Sequence, residues 1–461
     1  MKRKGLAIIL SLSMLFCACS GGGQGTMDQT QEPVNIGDEE QEDMSPTGTS
    51  LIEGNGEELE VAMLYASPFF QELVVDFNKK NPDYTIILRT PEAVEDWNDF
   101  RNRIRAEIGS GGGPDLLDGD LINVEEAVQK GYLKDMTDFC AQNRDRVWEA
   151  AWATGEVDGK NYKVPYKCRL WTIVAGEELV GQRTTWNLKQ MEQCLESAGC
   201  SMALGSLNQG VLEGEIVFFY LGVFSKSRGG LIDWDKGISY LCDEDAVGLM
   251  ELIKKHAYTG KQEEQGEKIV EGEIPAVMAV VRDIGSLQLL AALFQNREVY
   301  IGFPAEPEEK SGFLSSDGFV VNQASEKTEA IEAFLSYLLS EQVQQEIAQK
   351  SGETIMANGL PVDKDAMNLF CECALRGDYV DSYFAIPNNF YGYQYENMVL
   401  TEKSLNKFCE AVENAGPMPD TDKISSIICD EAQEYFSGNK SAQEAADTMH
   451  NRVRLYLEEM K

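Results

Sequence analysis

The side chains able to do covalent chemistry are few and poorly spaced for it. Two histidines, His256 and His450, stand far apart, each within a helix-like stretch, so the default reading is a packed or solvated imidazole. No Ser-His-Asp order can be built on them, and no G-x-S-x-G elbow occurs. Eleven cysteines are present; Cys17 and Cys19 fall in the N-terminal leader, and the nine others cannot all pair. Their spacings, Cys194 to Cys200 and Cys371-Glu372-Cys373, match no zinc pattern, and only a Cys194 to Cys200 bridge suggests itself. With 77 acidic residues, carboxylate pairs of the kind a glycosidase uses arise by chance. The glycine-rich run Gly109 to Gly113 lacks the following Lys and Ser/Thr of a phosphate-cradling loop, so its glycines read as a turn with positive φ that passes closely into a strand. What remains is non-covalent chemistry: carboxylates, guanidinium groups and aromatic rings that recognise a ligand.

Those groups must be carried by a sizeable fold. The 461 residues, 43% hydrophobic, suffice for two or three domains with full cores. Forty basic against 77 acidic residues give a net charge of −37, which excludes the Lys and Arg clusters that hold nucleic acid and disfavours an acidic lipid surface. The N-terminus opens with Lys2, Arg3 and Lys4, followed by an apolar run to Ala18 that is too short to span a bilayer and reads as a signal peptide. Its end, Leu15-Phe16-Cys17-Ala18-Cys19-Ser20-Gly21, resembles a bacterial lipobox, with Cys19 as the residue that receives lipid and Phe16 departing from the usual aliphatic residue. Residues 20 to 58 hold no aromatic, Lys or Arg side chain, so the segment reads as a disordered acidic tether with a reach of roughly 35 Å. Export favours disulfides, although a Gram-positive anaerobe's surface could keep thiols reduced.

From Leu59 the pattern becomes regular. Leu59 to Tyr65 reads as a strand, and Pro68 opens a helix in which Phe69, Phe70, Leu73, Val74 and Phe77 share a face until Asn81-Pro82 stops it. Tyr84 to Leu88 reads as a second strand, Trp97 to Ile108 as a second helix with Trp97 in the core, and Asp115 to Leu117 as a third strand. A β-α-β-α-β order makes the sheet parallel, with ligands expected outside the carboxyl ends of its strands.

Here the chain resembles the extracellular solute-binding proteins of ABC importers, the class that includes carbohydrate-binding lipoproteins. The resemblance rests on Phe77-Asn78-Lys79-Lys80-Asn81-Pro82-Asp83, Gly109 to Asp115, Gly131 to Met136 and Val157 to Tyr166. It continues through Thr184-Thr185-Trp186-Asn187, Glu271 to Met278, Asn358 to Val362, and Ala445-Ala446 with the closing helix. Together, in this order and behind a lipoprotein leader, these pieces identify the chain as a member of that family. The resemblance implies an α/β, two-lobed periplasmic-binding-protein-like fold of class II, with ligand in a cleft between lobes joined by crossover strands. Signal peptide 1–18 and tether 19–58 would precede one lobe at 59–167 and 318–370 and another at 168–317 and 371–461. Tyr162 to Cys168 and Phe313 to Val321 would be the hinges.

The implied function is capture of a sugar or oligosaccharide and delivery to the membrane permease. The chain would act as a monomer on the outer face of the cell membrane, without enzymatic activity, cofactor or metal. The alternatives are a surface binding or sensor protein of the same fold with a non-sugar ligand, and a secreted glycosidase. A sugar site needs flat apolar rings and hydroxyl-binding polar groups. Tyr65 ends the first strand, Asp118 and Asp120 follow the third, and Tyr166, Arg169 and Trp171 flank the first hinge. Arg282 and Asp283 follow the strand in which the family often carries a stacking aromatic, absent here, and Tyr391 and Tyr393 lie in a loop able to supply another ring. A strand-end tyrosine is as readily a core residue, and Trp186 reads as core.

Overall fold

A computed structural model describes residues 56–92, 94–199, 204–206, 213–224, 231–233, 236–258, 260–350, 359–376, 388–390, 393–395, 399–419 and 422–459. The leader, Cys19, nearly all of the tether and Tyr391 lie outside them.

One mixed sheet of ten strands organises the chain. Its strands are β1 (Glu57–Ala62), β2 (Tyr84–Arg89), β3 (Leu116–Asp118), β4 (Lys163–Gly176) and β5 (Leu204–Ser206), then β6 (Ala276–Val281), β7 (Glu298–Tyr300), β8 (Gly312–Val321), β9 (Leu360–Pro361) and β10 (Ala415–Pro417). The main path runs β2-β1-β3-β8-β4-β6-β5, with β7 and β9 also on β4 and β10 on β8. The expected parallel β1, β2 and β3 are present, with β1 between the other two. Strand β1 begins at Glu57, inside the segment expected to be tether, and stops at Ala62, short of Tyr65.

The helices form for local reasons. Helix α1 (Pro68–Lys80) has Ser67 as its cap, accepting from the Phe70 N–H, with Pro68 at the first position, where its missing N–H costs nothing. Its apolar residues at helical spacing bury Phe69, Phe70, Leu73, Val74 and Phe77. Helix α2 (Trp97–Gly109) is capped by Asp96 and buries Phe100, Ile104 and Ile108. Trp97, expected in the core, is 38% exposed instead, because it sits in the first turn before the helix face meets the sheet. After α2 the glycine turn takes the positive φ expected of it at Gly111 and Gly113. The chain then enters β3 past Asp115, whose carboxylate accepts from Glu60 N–H, Ser325 Oγ and Lys327 Nζ.

Further helices are α3 (Gly214–Phe224), α4 (Glu244–His256), α5 (Ile284–Leu293), α6 (Thr328–Leu338) and α7 (Glu341–Lys350). Towards the C-terminus follow α8 (Lys364–Arg376), α9 (Glu402–Glu413), α10 (Asp422–Phe436) and α11 (Ala442–Glu459). Two large cores result. One gathers α1, α6, α7, α8 and α9 against one face of the sheet, and the other gathers α3, α4, α10 and α11 around Ile173, Ala175 and Phe313. Trp186 is fully buried in the second, its indole N–H donating to the Gly302 carbonyl, as the core reading expects.

Strands β4 and β8 belong to both halves of the sheet. At 14 residues, β4 pairs with β8 from Lys163 to Trp171 and with β6 from Leu170 to Ala175, while β8 also pairs with β3 through Phe319 to Val321. Between Asp317 and Gly318 the register slips: Asp317 faces Lys167 but Gly318 faces Pro165, leaving Tyr166 as an extra residue. Glycine is required at 318, since a Cβ there would lie 2.5 Å from the Val164 carbonyl oxygen. Both segments expected as hinges therefore lie in strands shared by the two halves.

Candidate functional site: the polar wall of the shared strands

Alternation along β4 separates its side chains into two sets. Cys168, Leu170 and Val174 enter the first core, whereas Lys167, Arg169 and Trp171 fall on the other face beside Asp317 and Ser315 of β8. Asp317 is the hub. Arg169 donates to it through both terminal nitrogens, at 2.6 and 2.7 Å, and Lys167 Nζ lies 3.1 Å from it. Burial raises the Asp317 pKa, but the charges of Arg169 and Lys167 outweigh it and hold the carboxyl below its ordinary range. One step along, the Trp171 indole N–H donates to Ser315 Oγ at 2.9 Å, and its ring stacks on Tyr220 of α3 with centroids 5.7 Å apart.

Two neighbouring strands bring further candidates to this wall. Asp118 ends β3 opposite Phe319 and accepts from the Asp120 N–H. Burial above all, then the carboxylates of Asp120 and Asp317, push the Asp118 pKa up to about 8. On the other side β6 places Val281 opposite Leu170, so Arg282 emerges near Arg169. Burial, with help from the Arg169 charge and against Asp283, lowers the Arg282 pKa. Asp283 mainly caps α5, accepting from the Ser286 N–H and hydroxyl at 2.7 and 2.6 Å.

The sequence candidates thus divide. Asp118, Asp120, Arg169, Trp171 and Arg282 converge, together with Lys167, Asp317, Ser315 and Tyr220, which sequence reasoning did not select. Tyr65 stands beyond β1 with a ring 60% exposed. Tyr166 is 5% exposed, its ring stacked 5.6 Å from Phe319 and tilted against Phe70, so the core reading fits that position. Tyr393 opens a short strand paired with Asn388–Phe390, and nothing further of its side chain is described; Tyr391 lies outside the described residues. Cys194 carries a free thiol, and Cys200 is likewise outside. Among the described residues no cluster of three metal-binding side chains occurs, and no helix is long and apolar enough to cross a membrane.

With Asp118 largely protonated at neutral pH, the carboxylates of Asp120, Asp283 and Asp317 face Lys167, Arg169 and Arg282, so the wall is close to neutral while rich in donors and acceptors. Such a surface suits an uncharged, polyhydroxylated solute better than an ion, and the Trp171 ring supplies the flat apolar face. The raised Asp118 pKa has a measurable consequence. Its folded value lies above the ordinary carboxylate value, so its contribution to stability is full below about pH 4 and is lost as pH rises through about 8. Thermal melts from pH 5 to 8 should show the wild-type melting temperature falling more steeply than that of Asp118→Asn; parallel curves would contradict the assignment.

A sheet whose two halves share long strands, with a polar and aromatic wall where they join, defines the class of two-lobed ligand-binding proteins. Residues 65–345 match the family described as bacterial extracellular solute-binding protein, and the chain belongs to that family. It is a family of binding proteins, not of enzymes. No curated protein matches the sequence. Among solved structures, the sugar-binding protein MalE from Xanthomonas citri is 15% identical, with a TM-score of 0.61 over 87% of this chain and 98% of that one. The cyclic alpha-maltosyl-1,6-maltose binding protein from Arthrobacter globiformis is 17% identical, with a TM-score of 0.58 over 88% and 100%. An ABC substrate-binding protein from Listeria monocytogenes, in complex with cycloalternan, is 15% identical, with a TM-score of 0.55 over 88% and 100%. At these identities the likeness shows the two-lobed fold.

Proposed function

We propose that this chain captures a sugar or short oligosaccharide between two lobes and delivers it to the permease of an ABC importer, while lipid on Cys19 holds it at the outer face of the membrane. The observation that carries the reading is a near-neutral wall, in which Asp120, Asp283 and Asp317 balance Lys167, Arg169 and Arg282 beside Trp171, centred on the two strands common to both halves of the sheet. Carbohydrate is favoured because the charges already compensate one another, so a ligand need bring none. The similar proteins that bind cycloalternan, maltotriose or tagatose support the same class. Tyr65 and the Tyr391 to Tyr393 segment are the proposed additional stacking groups, and Asp120 and Asp283 the polar ones. The lobes are proposed as 59–167 with 318–376, and 168–317 with 377–461. Their second division moves from 370 to the end of α8 because that helix runs unbroken from Lys364 to Arg376.

The test is a thermal-shift screen against mono- and oligosaccharides, with amino acids and peptides as the contrasting arm. A sugar present at 100 times its dissociation constant should add about 2.7 kcal/mol of stability. Stabilisation by peptides or amino acids alone would contradict the carbohydrate reading.

The anchor is tested separately. A single acyl chain binds a membrane only marginally and a diacylglycerol cysteine supplies two, so wild-type chain should sediment with membranes. Cys19→Ser should be released or retained as unlipidated precursor, and continued lipid labelling of that variant would overturn the assignment.

A further inference from the structure

Two of the described cysteines meet. Cys371 on α8 and Cys409 on α9 bring their sulfurs to 3.2 Å across 38 positions of sequence. They are held there by packing, because the preceding residues, Phe370 and Phe408, are both fully buried with ring centroids 6.0 Å apart. Both thiols are only partly buried, so a small oxidant in the medium can reach them, whereas Cys140, Cys168, Cys194 and Cys373 are buried. A disulfide requires its sulfurs about 2.05 Å apart, roughly 1 Å closer than here, a movement that side-chain rotation and slight helix displacement supply. The contact is also electrostatically asymmetric. Either sulfur can donate in this contact; with Cys371 as donor, the hydrogen bond lowers the Cys409 pKa and raises that of Cys371, so we take Cys409 as the attacking thiolate and Cys371 as the resolving thiol.

We propose that Cys371 and Cys409 form an oxidation site, at which a small-molecule disulfide takes two electrons from the chain and leaves α8 bonded to α9. In the first step the Cys409 thiolate attacks the external disulfide, forming a mixed disulfide and expelling one thiolate. In the second, Cys371 loses its proton and displaces the remaining external thiolate, so one disulfide and two protein thiols become one protein disulfide and two small thiols. Placement gives the bond its effect. Helix α8 packs on α7 and β9, and β9 pairs with β4 at Lys167 and Cys168; α9 packs on β7 and β8. The bridge therefore ties the neighbours of both shared strands on the face opposite Arg169 and Trp171.

The test incubates the full folded chain with oxidised glutathione, followed by denaturation, alkylation of remaining thiols and peptide mapping. The expected result is a loss of two alkylatable thiols and a linked peptide whose fragmentation places the bond between Cys371 and Cys409. The melting temperature should rise by roughly 5 °C and return on reduction. Cys371→Ser and Cys409→Ser should each abolish both the link and the rise. An unchanged thiol count, stable glutathione adducts on either cysteine without a link, or a bond fragmenting at Cys373 would each overturn the proposal.

Discussion

Asp317→Ala should lower the stability of the folded chain by about 2 to 4 kcal/mol, the largest loss expected from any single polar change. Asp317 is the shared acceptor of Arg169 and Lys167, and those side chains are only 26% and 10% exposed. Removing it takes from two cations in a poorly hydrated wall the carboxylate that accepts from both, and the penalty is that of weakly compensated charge, not of one lost hydrogen bond. The pH range follows from the lowered Asp317 pKa. Its stabilisation is present above the ordinary carboxylate value, near 4, and fades as the pH falls through its lower folded value, so the deficit should be full at pH 7. Urea unfolding at constant m-value measures it. A change below about 1 kcal/mol would mean that water screens the pair as it does at open surfaces. Truncating Arg169 in the same chain should recover part of the loss.

Much of the scaffold for this wall was legible in the residues. Ser67 and Pro68 at one end and Asn81-Pro82 at the other bracket α1, and the spacing of Phe100, Ile104 and Ile108 marks the buried face of α2. Trp97 misled because aromatic type says nothing about whether the first helical turn reaches the core. Lys167 and Asp317 lie within the segments expected as hinges, yet residue type alone does not select them. A cation two residues from Arg169, and an acid within the apolar run Phe313 to Val321, were the available signals. Their partnership depends on strand register, and a single slip of register transfers every side chain to the opposite face. Tyr166 shows the same dependence, since it is the extra residue at the Asp317/Gly318 irregularity and its ring lies in the core. Tyr220 carried no local sign at all: α3 is apolar all round, and only tertiary packing selects the ring that meets Trp171.

Trp171→Ala should weaken binding of the captured sugar by about thirtyfold, roughly 2 kcal/mol, while lowering fold stability by a smaller amount. The indole is partly exposed, anchored by Ser315 and backed by Tyr220, so the exposed part of a rigid ring can meet the apolar face of a pyranose. A wholly core tryptophan would instead cost about 3 to 5 kcal/mol of stability when truncated. Calorimetric titration of wild type and Trp171→Ala with the best ligand from the carbohydrate screen, each at a temperature where the protein is folded, is the most direct measurement of whether this wall is the binding site. The expected result is a dissociation constant raised about thirtyfold in the variant with one site retained; equal dissociation constants in two folded proteins would place the ligand elsewhere.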